Sequence, residues 1–210
     1  MRVFTAVFNR FDRVRSPKVI NNTWTYTCIC NPWMAVPHPW ETSVRDFHGS
    51  ARKSARYYKI MAHKSFPKDT VTVWHGGNVQ LLTQPEELVK LLGNNDIAVI
   101  KHSGRESVYD EAKVCVESGL ADHERVESQI ARYQSEGFPG THLSAAFLVV
   151  RRHTNKVAAL NELWWSEVSN GSIRDQISFD YCCWKLGIKP AIIPGDIFRG
   201  VHFTRHAVHG

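Results

Sequence analysis

The stretch Trp74–Leu82, WHGGNVQLL, carries the densest chemical signal in the chain. An apolar run enters two glycines and an asparagine, then resumes. Glycines at a strand end let the backbone approach a ligand closely, and Asn78 adds a carbonyl oxygen and an amide donor. The same stretch also reads as a tight hairpin turn that binds nothing. Arg52, Arg56 and Lys59 recur at helical spacing, so a helix places them on one face, where they could neutralise a diphosphate. A basic solvated face is the plainer reading. Asp175 and Gln176 stand near a helix start as a candidate catalytic or sugar-binding pair, although the helix dipole alone favours an acid there. Of the adjacent Trp164 and Trp165, one belongs to a core and the other is a candidate for stacking on a sugar ring. His202 and His206 lie four apart. On a helix that spacing suits a metal, but the Val-His-Phe context reads as a strand and leaves His202 as a lone ligand at most.

Several enzyme signatures are missing. There is no GxSxG elbow, P-loop, GxGxxG or HExxH, which argues against common hydrolases, ATPases, dehydrogenases and zinc proteases. No familiar nucleic-acid-binding motif is present either. The 210 residues are 43% hydrophobic and 22% charged, enough to build a sizeable core and unlike a disordered chain. The length fits one domain over residues 1–210. No window holds about 18 uninterrupted apolar residues, so no membrane span is expected. The N-terminal sequence alternates and carries charge too early for a signal peptide. An odd set of five cysteines (Cys28, Cys30, Cys115, Cys182, Cys183) then points to reduced thiols and a cytoplasmic location.

Charge is uneven. Residues 1–64 hold 11 Lys and Arg against 3 acids, while residues 65–210 hold 15 against 17. A basic first third suits an anionic partner, either nucleotide phosphates or a nucleic acid, or else a solvated face.

These residues need elements to position them. Strands are expected at Val3–Phe8, Trp24–Ile29, Val71–Trp74, Ile97–Ile100, Ala145–Val150 and Ile188–Ile193. Helices are expected at Ser50–Ala62, Pro85–Leu92, Glu106–Glu117, Asp122–Glu136 and Val157–Val168, with a last one capped by Ser172 and running to Leu186. Four residues, Pro32, Pro37, Pro39 and Gly49, make 31–49 irregular. Alternating strands and helices give an α/β fold with a mainly parallel central sheet flanked by helices. Ligands in such sheets bind beyond the carboxyl ends of strands. That selects the loops Asn9–Arg15 and His75–Asn78 and the segment after Val150.

The ordered set of motifs resembles a glycosyltransferase family of GT-A fold. That family includes plant proteins of pollen-tube turgor and seed-mucilage synthesis and short bacterial and viral members. The resemblance is carried by Val3–Phe8 with Asp12, Tyr26–Asn31, Ala55–His63 with Phe66-Pro67, and Val73–Val79. It continues through Tyr109–Ala112, Gly137–Pro139, Arg151–His153, Leu160–Trp165 and Ser172–Phe179.

The resemblance implies a GT-A-like domain that transfers a sugar from a nucleotide sugar, a UDP-sugar, to an acceptor. The acceptor is open: a glycan of viral or bacterial origin, a protein, or a modified base in DNA. A ligand-binding module without catalysis is the competing reading. By similarity Thr5, Ala6, Asp12 and Asn31 lie near the nucleoside, and Arg52, Arg56 and Lys59 near ribose or phosphates. Gly76, Gly77 and Asn78 line the donor site, Trp165 stacks on the sugar, and Asp175 with Gln176 forms the catalytic pair. Asp175 then acts as general base or sugar-orienting group. Family members hold Mn²⁺ or Mg²⁺ through an Asp-Gly-Asn motif, but here Gly76 replaces the Asp. Hard cations prefer carboxylates. The chain therefore uses Asn78, His75 and His202 as weaker metal ligands, replaces the metal with Arg and Lys, or has lost catalysis.

Overall fold

The computed structural model describes residues 1–206. Seven strands form the central sheet: β1 (Arg2–Val7), β2 (Thr25–Cys30), β3 (Glu41–Val44), β4 (Val71–His75), β6 (Ile97–Lys101), β7 (Ser144–Arg152) and β8 (Ala191–Ile193). Their order is β3-β2-β1-β4-β7-β6-β8. Neighbours run parallel except where β7 meets β4 and β6. A small antiparallel sheet pairs β5 (Val79–Leu81) with β9 (Phe203–Arg205).

Side chains on a strand alternate between faces, and both faces of this sheet are covered. Phe4 and Ala6 of β1 enter one core with Trp74, whereas Val3 and Val7 enter the other with Val73. The first core is roofed by α1 (Ala51–Ile60), α3 (Val108–Glu117), α4 (His123–Ser135), α5 (Asn155–Asn170) and α6 (Gln176–Lys185). The second is closed by α2 (Pro85–Leu92), the β5–β9 pair and the loop residues Trp24 and Trp40. Local chemistry sets the helix ends. Ser50 accepts the Lys53 amide N–H (3.1 Å) to start α1, and Gly119 (φ +64°) takes the left-handed conformation between α3 and α4.

Three expectations change. The segment expected to be irregular, 31–49, contains β3. Its Glu-Thr-Ser-Val sequence is exposed and joins only β2 at the sheet edge, so no buried periodicity marks it. Ser172 does not cap the last helix. Its hydroxyl accepts the Arg174 amide N–H (3.1 Å) in a preceding turn, and α6 begins at Gln176. The third change matters most for the site. Because β7 is antiparallel, Arg152 pairs with Val71 and Leu148 with His75, which places the segment after Val150 at the far edge of the sheet. An apolar run buried on both faces carries no mark of its direction.

The chain lays down β1, β2 and β3 outward, then returns to place β4 on the other side of β1. That reversal of order opens a crevice at the carboxyl ends of β1 and β4.

Candidate functional site

A cleft of about 550 Å³ occupies that crevice, within the roughly 300–1,000 Å³ usual for small-molecule sites. Ala6, Trp74, Ala145 and Ala146 form its floor. One face of α1 supplies Arg52, Arg56 and Lys59, and the start of α6 supplies Arg174, Asp175 and Gln176. The far wall carries His102, Arg105 and Glu111, and the lip holds Phe198 and Arg205.

Asp175 is gripped from α1. Its Oδ1 accepts the Arg56 Nε–H at 3.1 Å, and its Oδ2 accepts from the Lys59 ammonium. The Trp164 indole N–H donates to the Asp175 carbonyl at 2.8 Å, and the Lys59 ammonium lies 5.0 Å from the Trp164 ring centroid. Burial opposes ionisation of Asp175, but the two cations outweigh it and hold the carboxyl at about 2. Burial also pulls Lys59 below its ordinary range, with Asp175 pulling it back.

Glu111 makes a second such cluster. It is 1% exposed and reaches Arg105 Nε at 2.5 Å and Arg174 Nη2 at 3.7 Å. His102 Nδ1 accepts the amide N–H groups of Gly104 (3.1 Å) and Arg105 (2.9 Å), which curls the loop after β6 toward the cleft. Burial, then the Arg105 charge, lowers the His102 pKa. The Gln176 amide Nε2 and Trp74 Nε1 are buried and bond to no other described group. Such donors are costly to leave unpaired, and both residues line the cleft.

The floor rises into Gly76-Gly77-Asn78. The Gly76 amide N–H donates to Phe147 O at 2.8 Å. A Cβ on Gly77 would fall 2.5 Å from Val7 Cγ2 and 2.8 Å from Asp12 Cβ, so only glycine fits. Gly76 is different. Its backbone is not left-handed, and an added Cβ would meet the flexible Asn78 Oδ1 at 3.2 Å and nothing else nearer than 3.9 Å. Backbone geometry does not demand a glycine at 76.

Residues 43–207 match the model of the TOD1/MUCI70 glycosyltransferase-like domain. The chain belongs to the TOD1/MUCI70 family. It is 24% identical over 222 residues to the probable hexosyltransferase MUCI70 of Arabidopsis thaliana, across 89% of this chain and 38% of that protein. The chain thus spans well under half the length of this curated relative. Among solved structures, mouse xyloside xylosyltransferase 1 superposes with a TM-score of 0.52 at 8% identity. The match covers 91% of this chain and 84% of that one. The bifunctional glycosyltransferase WbbM gives 0.51 at 14% identity, over 92% of this chain and 38% of its own. At these identities the likeness establishes the fold, which is GT-A-like.

In this TOD1/MUCI70 domain the cleft gathers most of the residues singled out from sequence: Ala6, Asp12, Arg52, Arg56, Lys59, Gly76, Gly77, Asn78, Asp175 and Gln176. The others lie elsewhere. Strand alternation sends Thr5, buried beside Val3 and Val7, to the opposite face of β1 from Ala6. Asn31 Oδ1 accepts the Asn9 amide N–H (2.7 Å) and braces the loop after β1 outside the cleft lining. Trp165 packs edge-on against Tyr57, ring centroids 5.1 Å apart. Its neighbour Trp164 is the one that touches the site.

The proposed metal set does not converge. His75 projects to the second core, edge-on to Trp40 (5.2 Å), with Nδ1 against Gly76 O at 2.8 Å. Burial lowers it to about 4, against the pull of that carbonyl. His202 Nδ1 contacts Thr83 Oγ1 at 2.9 Å, at the far end of the β5–β9 pair. Asn78 Nδ2 donates to His206 O at 3.3 Å. Among the described residues no cluster of three His, Cys, Asp or Glu is placed to hold a metal. The cleft carboxylates Asp175 and Glu111 are already committed to cations. Among the described residues the donor set does not fit a divalent cation.

His102, Arg105 and Arg205 were not singled out from sequence, and Glu111 and Arg174 lie in stretches that carry the family resemblance without having been named as site residues. The rule that picked the loop after β4 also picks the loop after β6, where His102 and Arg105 lie. Arg174 adjoins Asp175 in sequence, and Arg205 carried no signal. The basic first third divides in the fold. Arg52, Arg56 and Lys59 enter the cleft, while Arg10, Arg13 and Arg15 line a separate hollow with Met34 and Gln80.

Proposed function

We propose that this chain transfers a sugar from a nucleotide sugar, a UDP-sugar by the family resemblance, to an acceptor hydroxyl. The observation that carries the reading is a cleft at the topological reversal with six cationic side chains and three carboxylates. Two of those carboxylates each hold a pair of cations at the rim of a Gly-Gly-Asn floor. A nucleoside diphosphate brings the opposite charge, and preorganised cations act most strongly on charge that grows as the leaving group departs.

In the reaction the bond from the anomeric carbon to the diphosphate oxygen breaks, one to the acceptor oxygen forms, and the acceptor's hydroxyl proton passes to the departing diphosphate. Cleft cations take up the charge left on the diphosphate. A carboxylate near pKa 2 is too weak a base to remove a proton at neutral pH. Asp175 therefore serves as an ionised group that accepts hydrogen bonds from sugar hydroxyls, and the free Gln176 amide donates one. Phe198, 63% exposed at the lip, offers an apolar surface for an incoming sugar ring.

The test is thermal melting with UDP, GDP, CMP and ADP, each with and without Mn²⁺. Ligand at about 100 times its dissociation constant adds roughly 2.7 kcal/mol, or about 5–10 °C for a domain of this size. UDP should give the largest shift, and UDP-sugars should release UDP. No shift with any nucleotide overturns the proposal. UDP binding without turnover of any UDP-sugar leaves a ligand-binding module.

A further inference from the structure

We propose that Arg205 is the built-in counter-charge of the donor diphosphate, standing in for the metal that the family's Asp-Gly-Asn motif would hold. The inference rests on the nucleotide-sugar reading of the cleft.

Three observations converge on this residue. The first is where its backbone is fixed. Arg205 pairs with Val79 in the β5–β9 sheet. The next residue donates its His206 amide N–H to Asn78 O at 2.9 Å, and Asn78 Nδ2 donates back to His206 O. Arg205 is thereby clamped to the residue that completes Gly-Gly-Asn. The second is where its side chain goes. The guanidinium carbon lies 5.3 Å from the Phe147 ring centroid, and Phe147 is the residue whose carbonyl receives the Gly76 amide. This ring contact holds the guanidinium at the cleft lip. The third is what Arg205 lacks. Arg56, Lys59, Arg105 and Arg174 are each paired with a carboxylate. Among the described residues no carboxylate forms an ion pair with Arg205, whose side chain lines the same cleft and feels the Asp12 carboxylate there.

Gly76 then acquires a reason. The backbone there accepts any residue, so glycine is not a conformational requirement. An aspartate at 76 would bring a carboxylate to the very residue against which Arg205 packs, and would draw its charge away from a ligand. With glycine no further carboxylate is brought beside the guanidinium at that point. A planar guanidinium presents its donors in a fork that matches phosphate oxygens, a task that a metal ion performs through coordination.

The experiment is calorimetric titration of the full chain in EDTA, with UDP and with inorganic pyrophosphate. Three proteins are compared: unmodified, Arg205→Gln and Arg205→Lys. The unmodified chain should bind UDP in EDTA, and replacing EDTA with Mn²⁺ should change affinity by less than about threefold. Arg205→Gln should weaken both ligands by about tenfold to a hundredfold, the usual range for one charge-assisted hydrogen bond. Arg205→Lys, which keeps charge but loses the fork, should fall between. Melting of the unliganded variants within a few degrees of the unmodified chain shows that they fold. Unchanged affinity in Arg205→Gln overturns the proposal. So does UDP binding that requires Mn²⁺, which leaves the nucleotide-sugar reading standing. Failure to bind UDP under either condition removes both.

Discussion

Replacing Asp175 by Asn keeps the shape of the side chain and removes the charge that two buried cations share. The cost can be worked from two directions. The carboxyl is moved from 3.8 to about 2 in the folded chain. At about 1.36 kcal/mol per tenfold, that is roughly 2–3 kcal/mol of stability at neutral pH. Removing one partner of a buried pair costs about 3–5 kcal/mol, and the lower end applies because the Arg56 side chain keeps 18% exposure. A loss of about 2–4 kcal/mol lowers Tm by about 5–15 °C in a domain of this size. The folded pKa is depressed, so the contribution is complete above the unfolded value near 4 and is lost as pH falls through about 2. Calorimetry on both proteins should therefore show the full gap at pH 7, narrowing between pH 4 and pH 2. Transfer should fall about a hundredfold or more while UDP affinity stays within a few-fold. A variant that melts within about 2 °C of the unmodified chain at pH 7, or that transfers sugar normally, refutes the ion-pair account of Asp175.

The two floor glycines should separate cleanly. Gly77→Ala meets Val7 Cγ2 at 2.5 Å and should cost about 1–3 kcal/mol by overpacking, whereas Gly76→Ala should melt within about 2 °C of the unmodified chain. Glu111→Gln leaves Arg105 and Arg174 without a shared carboxylate and should weaken UDP binding about three- to tenfold in a titration. His202→Ala, whose ring contacts Thr83 away from the cleft, should leave UDP affinity within about twofold, with or without Mn²⁺. A larger loss would place the histidine in the donor site.

Much of the architecture could be read from the chain because burial leaves periodic marks. The apolar runs of β1, β4, β6 and β7 and the helices α2 and α3 all fell where the sequence placed them, within a few residues. Two kinds of feature left no mark. The direction of β7 depends on its pairing with β4 and β6, and apolar residues suit either direction. The edge strand β3 is polar and exposed, so nothing distinguishes it from a loop. The site divided in the same way. The α1 cations and Asp175 were readable as helix-face and helix-start patterns, and the fold joins Arg56, Lys59 and Asp175 into one ion cluster. Thr5 and His75 missed because a one-residue step along a strand moves a side chain to the other face. Arg205 was unreadable because its place is set by the β5–β9 pairing, which joins it to Val79 far earlier in the chain.

The most direct measurement is a crystal structure of the chain with UDP, grown in EDTA. The account expects the diphosphate at the mouth of the cleft, between the Gly76–Asn78 turn and the guanidinium of Arg205, with Asp175 still bound to Arg56 and Lys59. UDP bound in the hollow beside Arg13 and Met34, or a diphosphate that leaves Arg205 untouched while the cleft stands open, would contradict it.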